Sequence, residues 1–263
     1  MGDEYRRLAA MLVQSIRFNG FAGEIIALSE APLPGPCRSI IIDRRELEAL
    51  RMTGRDVLYL RTIADRFIPG FFDFDYLLHL DADVLCTGRI DGILADLAAR
   101  SAIAVQRYDR PLSAVAQNFT AHDWSVVRGQ PFAACGAIVG FPGGQAGRDF
   151  LRLWAFEAGA RRFDDQTALN VVLHRAYSGR FDFFPGAAFW PTVENSALVH
   201  FLGYRDRMQS VFESRYAAAF PVQSQHSHVS RLSPSPGELP RSMRLPEGQP
   251  GHHRARSRPR LPG

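Results

Sequence analysis

Two aspartates separated by one alanine, Asp81-Ala82-Asp83, close the apolar run Tyr76-Leu77-Leu78-His79-Leu80. In an extended chain residues i and i+2 share a side, so the two carboxylates are expected to converge just past a buried strand. Carboxylates held that close repel each other, and a divalent cation relieves the repulsion. Hard ions such as Mn²⁺ or Mg²⁺ prefer oxygen ligands and share their remaining positions with substrate phosphates. The pair therefore points to a metal–diphosphate site; the plainer alternative is a hydrated strand end. Other chemistry is excluded by composition. All 31 basic residues are arginine, so no mechanism that needs a Schiff-base or P-loop lysine applies. Cys37, Cys86 and Cys135 lie far apart without metal-ligand spacing, a sparse set that suits a reducing compartment.

The elements that must position these aspartates follow from periodicity. "YRRLAAMLVQSIRFNG" reads as an amphipathic helix stopped at Gly20,. "EIIALSE" and "SIIID" read as strands around the loop "APLPGPC", and residues 44–70 as helical segments about Gly54, ended by Pro69-Gly70. "DYLLHLD" is the next strand, then a helix over "IDGILADLAARS" and a strand over "AIAVQRY". This alternation predicts an α/β fold, a mostly parallel sheet with helices on both faces. Ligands bind such sheets outside the carboxyl ends of strands, where Asp81 and Asp83 fall. The second half suggests a smaller mixed sheet. "PFAACGAIVGF" reads as a strand with a close backbone approach at Gly136,. "GRDFLRLWAFEAGARR" and "DDQTALNVVLHRAY" read as helices, the second capped by Asp164 or Asp165,. "RFDFFPGAAFWP" is aromatic and strand-like.

Hydrophobic residues make up 46% of the 263 and charged residues 22%, an ordinary balance for a folded domain,. The net charge of +4 is not spread evenly. Residues 222–263 hold seven arginines against two acids and are rich in Ser, Pro, Gly and His. They lack the apolar surface to fold alone, so the chain reads as a domain over 1–221 and a disordered basic tail over 222–263. By charge alone the tail could meet an anionic membrane surface weakly, with a solvated extension as the plainer reading, and no specific nucleic-acid recognition is expected. No apolar run approaches the roughly 20 residues that span a bilayer. The start has no signal-peptide layout, so the expected location is cytoplasmic.

Four segments carry a family resemblance. "YLLHLDADVLCTGRIDGIL" resembles the D-x-D region of nucleotide-sugar glycosyltransferases of the GT-A fold, most of all glycosyltransferase family 8, the glycogenin-like and bacterial galactosyltransferase group. In the same order, "GDEYRRLAAMLVQSIR" resembles that family's first turn and helix, "RFDDQTALNVVLH" its D-Q-x-x-L-N helix start, and "ALVHFLGYRDRM" its H-F-x-G segment. The resemblance implies transfer of a sugar, with retention, from a UDP-sugar to an unknown sugar, lipid or protein acceptor. It implies Mn²⁺ or Mg²⁺ held by Asp81, Asp83 and His200. It places Asp3 and Tyr5 at the base, Arg61, Ala82, Gly136 and Gly203 against the donor, and Asp165 and Gln166 beside the transferred sugar. Plainer readings stay open: His200 as structure, Arg61 on a solvated helix face, Tyr5 in the core, Asp165 as a cap. His79 alternates with strand residues and reads as structure.

Departures from the family pattern set further expectations. Ala134 stands where the family has an asparagine, and Glu4 where an asparagine is common. "YRDRM" replaces a lysine-containing segment, with Arg205 and Arg207 as the nearest cations,. Met1 falls almost on the first turn, so the leading strand is expected to be missing and stability lower than in a relative that has one. A haloacid-dehalogenase-like phosphatase is disfavoured, since Leu85 stands where its threonine or valine would be and no lysine exists. A degenerate nucleotide-sugar-binding domain without catalysis remains the alternative.

Overall fold

The computed structural model describes residues 3–52, 57–108, 111–113, 119–161 and 164–216, all within one compact unit. Gly54 and the basic tail lie outside the described residues. The elements run α1 (Asp3–Phe18), β1 (Ile26–Ser29), β2 (Arg38–Ile41), α2 (Arg44–Met52), a 3₁₀ segment (Val57–Arg66), β3 (Tyr76–Leu80), β4 (Val84–Cys86), α3 (Asp91–Ala99) and β5 (Ile103–Arg107). There follow α4 (Ala121–Val127), β6 (Ala134–Pro142), α5 (Gly144–Ala160), α6 (Asp165–Ala176), β7 (Phe181–Phe183), β8 (Ala187–Phe189), β9 (Leu198–His200) and α7 (Arg205–Tyr216).

The expected α/β class is what the chain adopts, with helices packed on the sheets. The largest sheet has the order β3-β6-β5-β7. Within it β6 runs against both neighbours, β3 and β5, while β5 and β7 are parallel, so this sheet is mixed where a mostly parallel one was expected. A second, mixed sheet has the order β4-β9-β8. Strands β1 and β2 form a parallel pair of their own. Among the described residues no strand joins that pair to β3.

Burial explains the layers. Strand β6 is buried along its whole length. On one side Phe150, Leu151 and Trp154 of α5 and Leu169, Val172 and Leu173 of α6 pack with Val139 and Phe141. On the other, Leu12 and Ile16 of α1 and Leu97 of α3 pack with Cys135, Ala137 and Ile138. The amphipathic reading of α1 holds: Leu8, Met11, Leu12, Ser15 and Ile16 are buried in the i, i+3, i+4 pattern of a core-facing helix, with Ala10 and Val13 buried beside them,. Leu8 and Met11 also meet Met208, Phe212 and Tyr216 of α7 across Leu85, Val199 and Phe201. The two helices thus clasp the β4–β9 pair.

Candidate active site

The D-x-D segment lies where the chain leaves one sheet for another. The Asp81 N–H donates to the Ala137 carbonyl at 2.9 Å, adding one rung to the β3–β6 ladder. The Val84 N–H then donates to the Asp81 carbonyl at 3.1 Å and closes a turn. Beyond it, Val84 pairs with His200, and the Phe201 N–H donates to the Asp83 carbonyl at 2.9 Å. Asp81 therefore belongs to the end of the large sheet and Asp83 to the start of the small one. This corrects the i, i+2 expectation: the segment is a turn and not an extended strand, and the two carboxylates take different partners.

Asp81 faces Arg61 and His79. Arg61 Nη1 lies 3.0 Å from Asp81 Oδ1, and Nη2 3.3 Å from Oδ2. His79 Nε2 lies 3.1 Å from Asp81 Oδ1, so a histidine read as structure touches the site. Burial opposes the charge on Asp81, but the Arg61 guanidinium and the His79 bond outweigh it and pull the carboxyl down to about 2. Arg61 is no solvated helix residue. Its side chain is 7% exposed, and it also donates to the Gly136 carbonyl and reaches Asp165.

Asp165 opens α6. Asp164 is the cap, its Oδ1 accepting from the Thr167 N–H at 3.0 Å, as one of the two aspartates was expected to do,. Asp165 is released to the interior, where its side chain is 5% exposed and its own carbonyl accepts from Trp154 Nε1 at 2.7 Å. Its Oδ2 lies 2.8 Å from Arg61 Nε, a charge contact without an aligned hydrogen bond. Burial pushes the carboxyl up to about 6; Arg61 offsets this in part, and Asp81 and Asp164 add to it.

Gly136 makes room for this arrangement. A Cβ there would stand 3.1 Å from Arg61 Nη1 and 3.9 Å from Asp165 Oδ2. The Gly136 N–H points at Gln166 Oε1, 3.5 Å away. Next door, Asn170 bonds both backbone groups of Ala134: its Oδ1 accepts from the N–H at 2.8 Å and its Nδ2 donates to the carbonyl at 3.0 Å. No sequence signal marked Asn170 for this task, although it belongs to the D-Q-x-x-L-N segment.

Asp83 and His200 form the second half of the site. Asp83 Oδ1 lies 3.5 Å from His200 Nε2. Burial opposes an imidazolium at His200, but the bonds with Asp83 and then Cys135 carry it up to about 9. Two donors on one octahedral ion stand about 3 Å apart, so this pair has the spacing to share a cation. Two carboxylates and an imidazole also make a donor set suited to a divalent ion such as Mn²⁺. Among the described residues no three His, Cys, Asp or Glu side chains converge to hold an ion as they stand, because Asp81 is turned toward Arg61 and His79.

The remaining expected residues lie around the β4–β9 clasp. Tyr5 packs beside that cluster, and so does Ala82. The face of Tyr5 expected to stack on a base is covered by Arg205, whose guanidinium sits 4.5 Å from the ring centre. Arg205 also bonds the Tyr5 hydroxyl and reaches Glu4 Oε2 at 2.8 Å. Asp3 is exposed and paired with Arg6. Gly203 has φ +74°, and nothing lies within 4 Å of where a Cβ would be. Its glycine thus answers to the turn before α7 and not to a close neighbour.

Comparison with known proteins agrees with this architecture. No protein-family profile and no curated protein matches the sequence. The fold is similar to that of the galactosyltransferase LgtC, solved with donor and acceptor sugar analogues. The likeness has a TM-score of 0.51 at 13% identity and covers 81% of this chain and 93% of that one. The bifunctional glycosyltransferase WbbM, solved without ligands, has a TM-score of 0.49 at 11% identity over 82% of this chain and 49% of its own. The chain thus shares the mixed α/β fold of LgtC, its sheets flanked by helices. No described helix is long and apolar enough to cross a membrane.

Proposed function

We propose that the chain is a glycosyltransferase of the family 8 type. It moves a sugar, with retention, from a UDP-sugar to a hydroxyl of a sugar, lipid or protein acceptor. The observation that carries this reading is the joining of Asp81, Asp165 and Gly136 through one buried guanidinium, beside the Asp83–His200 pair, in this fold. Three carboxylates against the Arg61 guanidinium and the His200 imidazolium leave one surplus negative charge. Such a site repels a bare diphosphate and suits a diphosphate neutralised by a divalent cation. Asp81, Asp83 and His200 would hold Mn²⁺ or Mg²⁺, with Asp81 turned from His79. Bound there, the cation would supply Lewis-acid stabilisation of charge on the departing UDP.

The chain's own residues do the rest. Arg61 keeps Asp81 ionised and holds Asp165 against Gly136, so that Asp165 and Gln166 face the transferred sugar. The backbone at Gly203 turns α7 toward the diphosphate, and Tyr5 and Asp3 flank the base once Arg205 moves off the ring. The test is calorimetric UDP binding with and without Mn²⁺, on the wild type and on Asp83→Asn. Binding that requires Mn²⁺ and is lost in the variant is expected. UDP binding that ignores Mn²⁺ and Asp83 overturns the reading.

A further inference from the structure

The proposed donor set leaves one buried group unused. Cys135 Sγ lies 3.8 Å from His200 Nδ1, on the side of the ring opposite Asp83. Both partners are fixed by their surroundings. Ala134, before the cysteine, has its N–H and carbonyl bonded by Asn170, and Gly136, after it, has its carbonyl held by Arg61. The direction of the Cys135 side chain is thereby set. The His200 ring packs on Phe189, with centres 5.1 Å apart, and its carbonyl accepts from the Trp190 N–H at 3.0 Å. Cys135 and His200 are both 3% exposed, so water does not substitute for either.

Imidazole has two nitrogens, and which one is free is decided by what the other bonds. A histidine that binds a cation through one nitrogen donates its other N–H to a neighbouring acceptor, and that partner commonly matters 10–100-fold for affinity. The partner is most often a carboxylate or carbonyl. Here the group in that place is sulfur.

We infer that Cys135 is a positioning residue: its sulfur accepts the Nδ1 hydrogen of His200 and so leaves the Nε2 proton, beside Asp83, as the one that a divalent cation displaces. The inference rests on the function proposed above for the role of the cation. The Cys135–His200 contact itself is testable without one. Sulfur is a weak acceptor, so the bond orients the ring without fixing it as a carboxylate would.

The test uses the full chain, wild type, Cys135→Ala and Cys135→Ser. In the cation-free protein, ¹⁵N-edited NMR reads the His200 Nδ1–H resonance. It is expected to be sharp in the wild type, broadened or moved in Cys135→Ala, and intermediate in Cys135→Ser, whose hydroxyl has an acceptor on a shorter bond. In parallel, electron paramagnetic resonance of free Mn²⁺, titrated in the presence of UDP, reads affinity. A loss of about tenfold or more in Cys135→Ala, partly recovered in Cys135→Ser, is expected. An unchanged Nδ1–H resonance and unchanged Mn²⁺ affinity in Cys135→Ala overturn the positioning role while leaving the cation site intact. A wild type that binds no Mn²⁺, yet whose Nδ1–H resonance depends on Cys135, overturns the cation site and the purpose assigned to Cys135, and leaves only the contact. Equal melting temperatures among the three proteins keep a folding defect from imitating either result.

Discussion

Replacing Arg61 by methionine removes the guanidinium and keeps most of the apolar stem. The loss can be worked from its partners. Arg61 and Asp165 are 7% and 5% exposed, and their charged atoms are 2.8 Å apart. Breaking a buried pair by deleting one member costs about 3–5 kcal/mol, because the other charge is stranded. Asp81, 26% exposed, adds less, since water reaches it. A loss of about 3 kcal/mol corresponds to a fall in Tm of about 6–12 °C for a domain of this size. The penalty belongs mostly to the ionised form of Asp165. That carboxyl is raised from 3.8 to about 6, so the folded state holds its proton more tightly than the unfolded chain. Its protonation favours folding below 3.8, and that contribution is lost as pH rises through about 6. Without Arg61 the carboxyl rises further, and the Tm gap between wild type and Arg61→Met narrows from pH 7.5 to pH 5. Adding Asp165→Asn to Arg61→Met removes the stranded charge and recovers part of the loss at pH 7.5. Thermal melting at the two pH values checks both. A gap that is constant with pH, together with no recovery from Asp165→Asn, refutes the account of Arg61 as the counter-charge to Asp165.

Other perturbations probe the same frame. Gly136→Ala places a Cβ against Arg61 Nη1 and is expected to cost about 1–3 kcal/mol by overpacking and to weaken the proposed Mn²⁺-dependent UDP binding; urea unfolding and calorimetry measure the two. Asn170→Ala orphans the buried backbone groups of Ala134 and is expected to cost about 1–3 kcal/mol, visible as a lower urea midpoint at unchanged m. Asp123 joins Arg161 and Thr120, and although burial opposes its charge these bonds hold its carboxyl below 3.8. Its contribution is present above 3.8 and is lost as pH falls below that value, so Asp123→Asn is expected to lower Tm at pH 7 and to matter less near pH 3. The Thr120 cap of α4 accepts from the Asp123 N–H at 3.1 Å; Thr120→Ala is expected to cost about 1 kcal/mol.

Much of the frame was legible because it rests on local pattern. The apolar run of β3 ends at a charge, the α1 stripe repeats every three to four residues, and Asp164-Asp165 precede a helical run. What was not legible depends on contacts distant in sequence. Arg61 stood out only through the family resemblance, since nothing local says that Asp81, Gly136 and Asp165 surround it. The split of Asp81 from Asp83 required β4 to be seen as a strand, and Val84-Leu85-Cys86 is too short for period alone. Helix α7 went unread because its sequence is polar, yet Met208, Phe212 and Tyr216 recur every four residues and are its buried face. Cys135 carried no signal at all, for its meaning comes from a histidine on another strand.

Arg61 has a consequence for time as well as for charge. Its partners lie on the turn after β3, on β6 and at the head of α6, so the chain from residue 61 to residue 165 must be in place before the guanidinium finds all three. Contacts so far apart close late, because the loop entropy between them is lost before they reward it. Helices such as α1 and α5 draw on neighbouring residues and form early by comparison. In refolding, recovery of helical signal should therefore run ahead of recovery of the UDP binding proposed above, and a protein only partly refolded would already have its backbone content while still lacking its site.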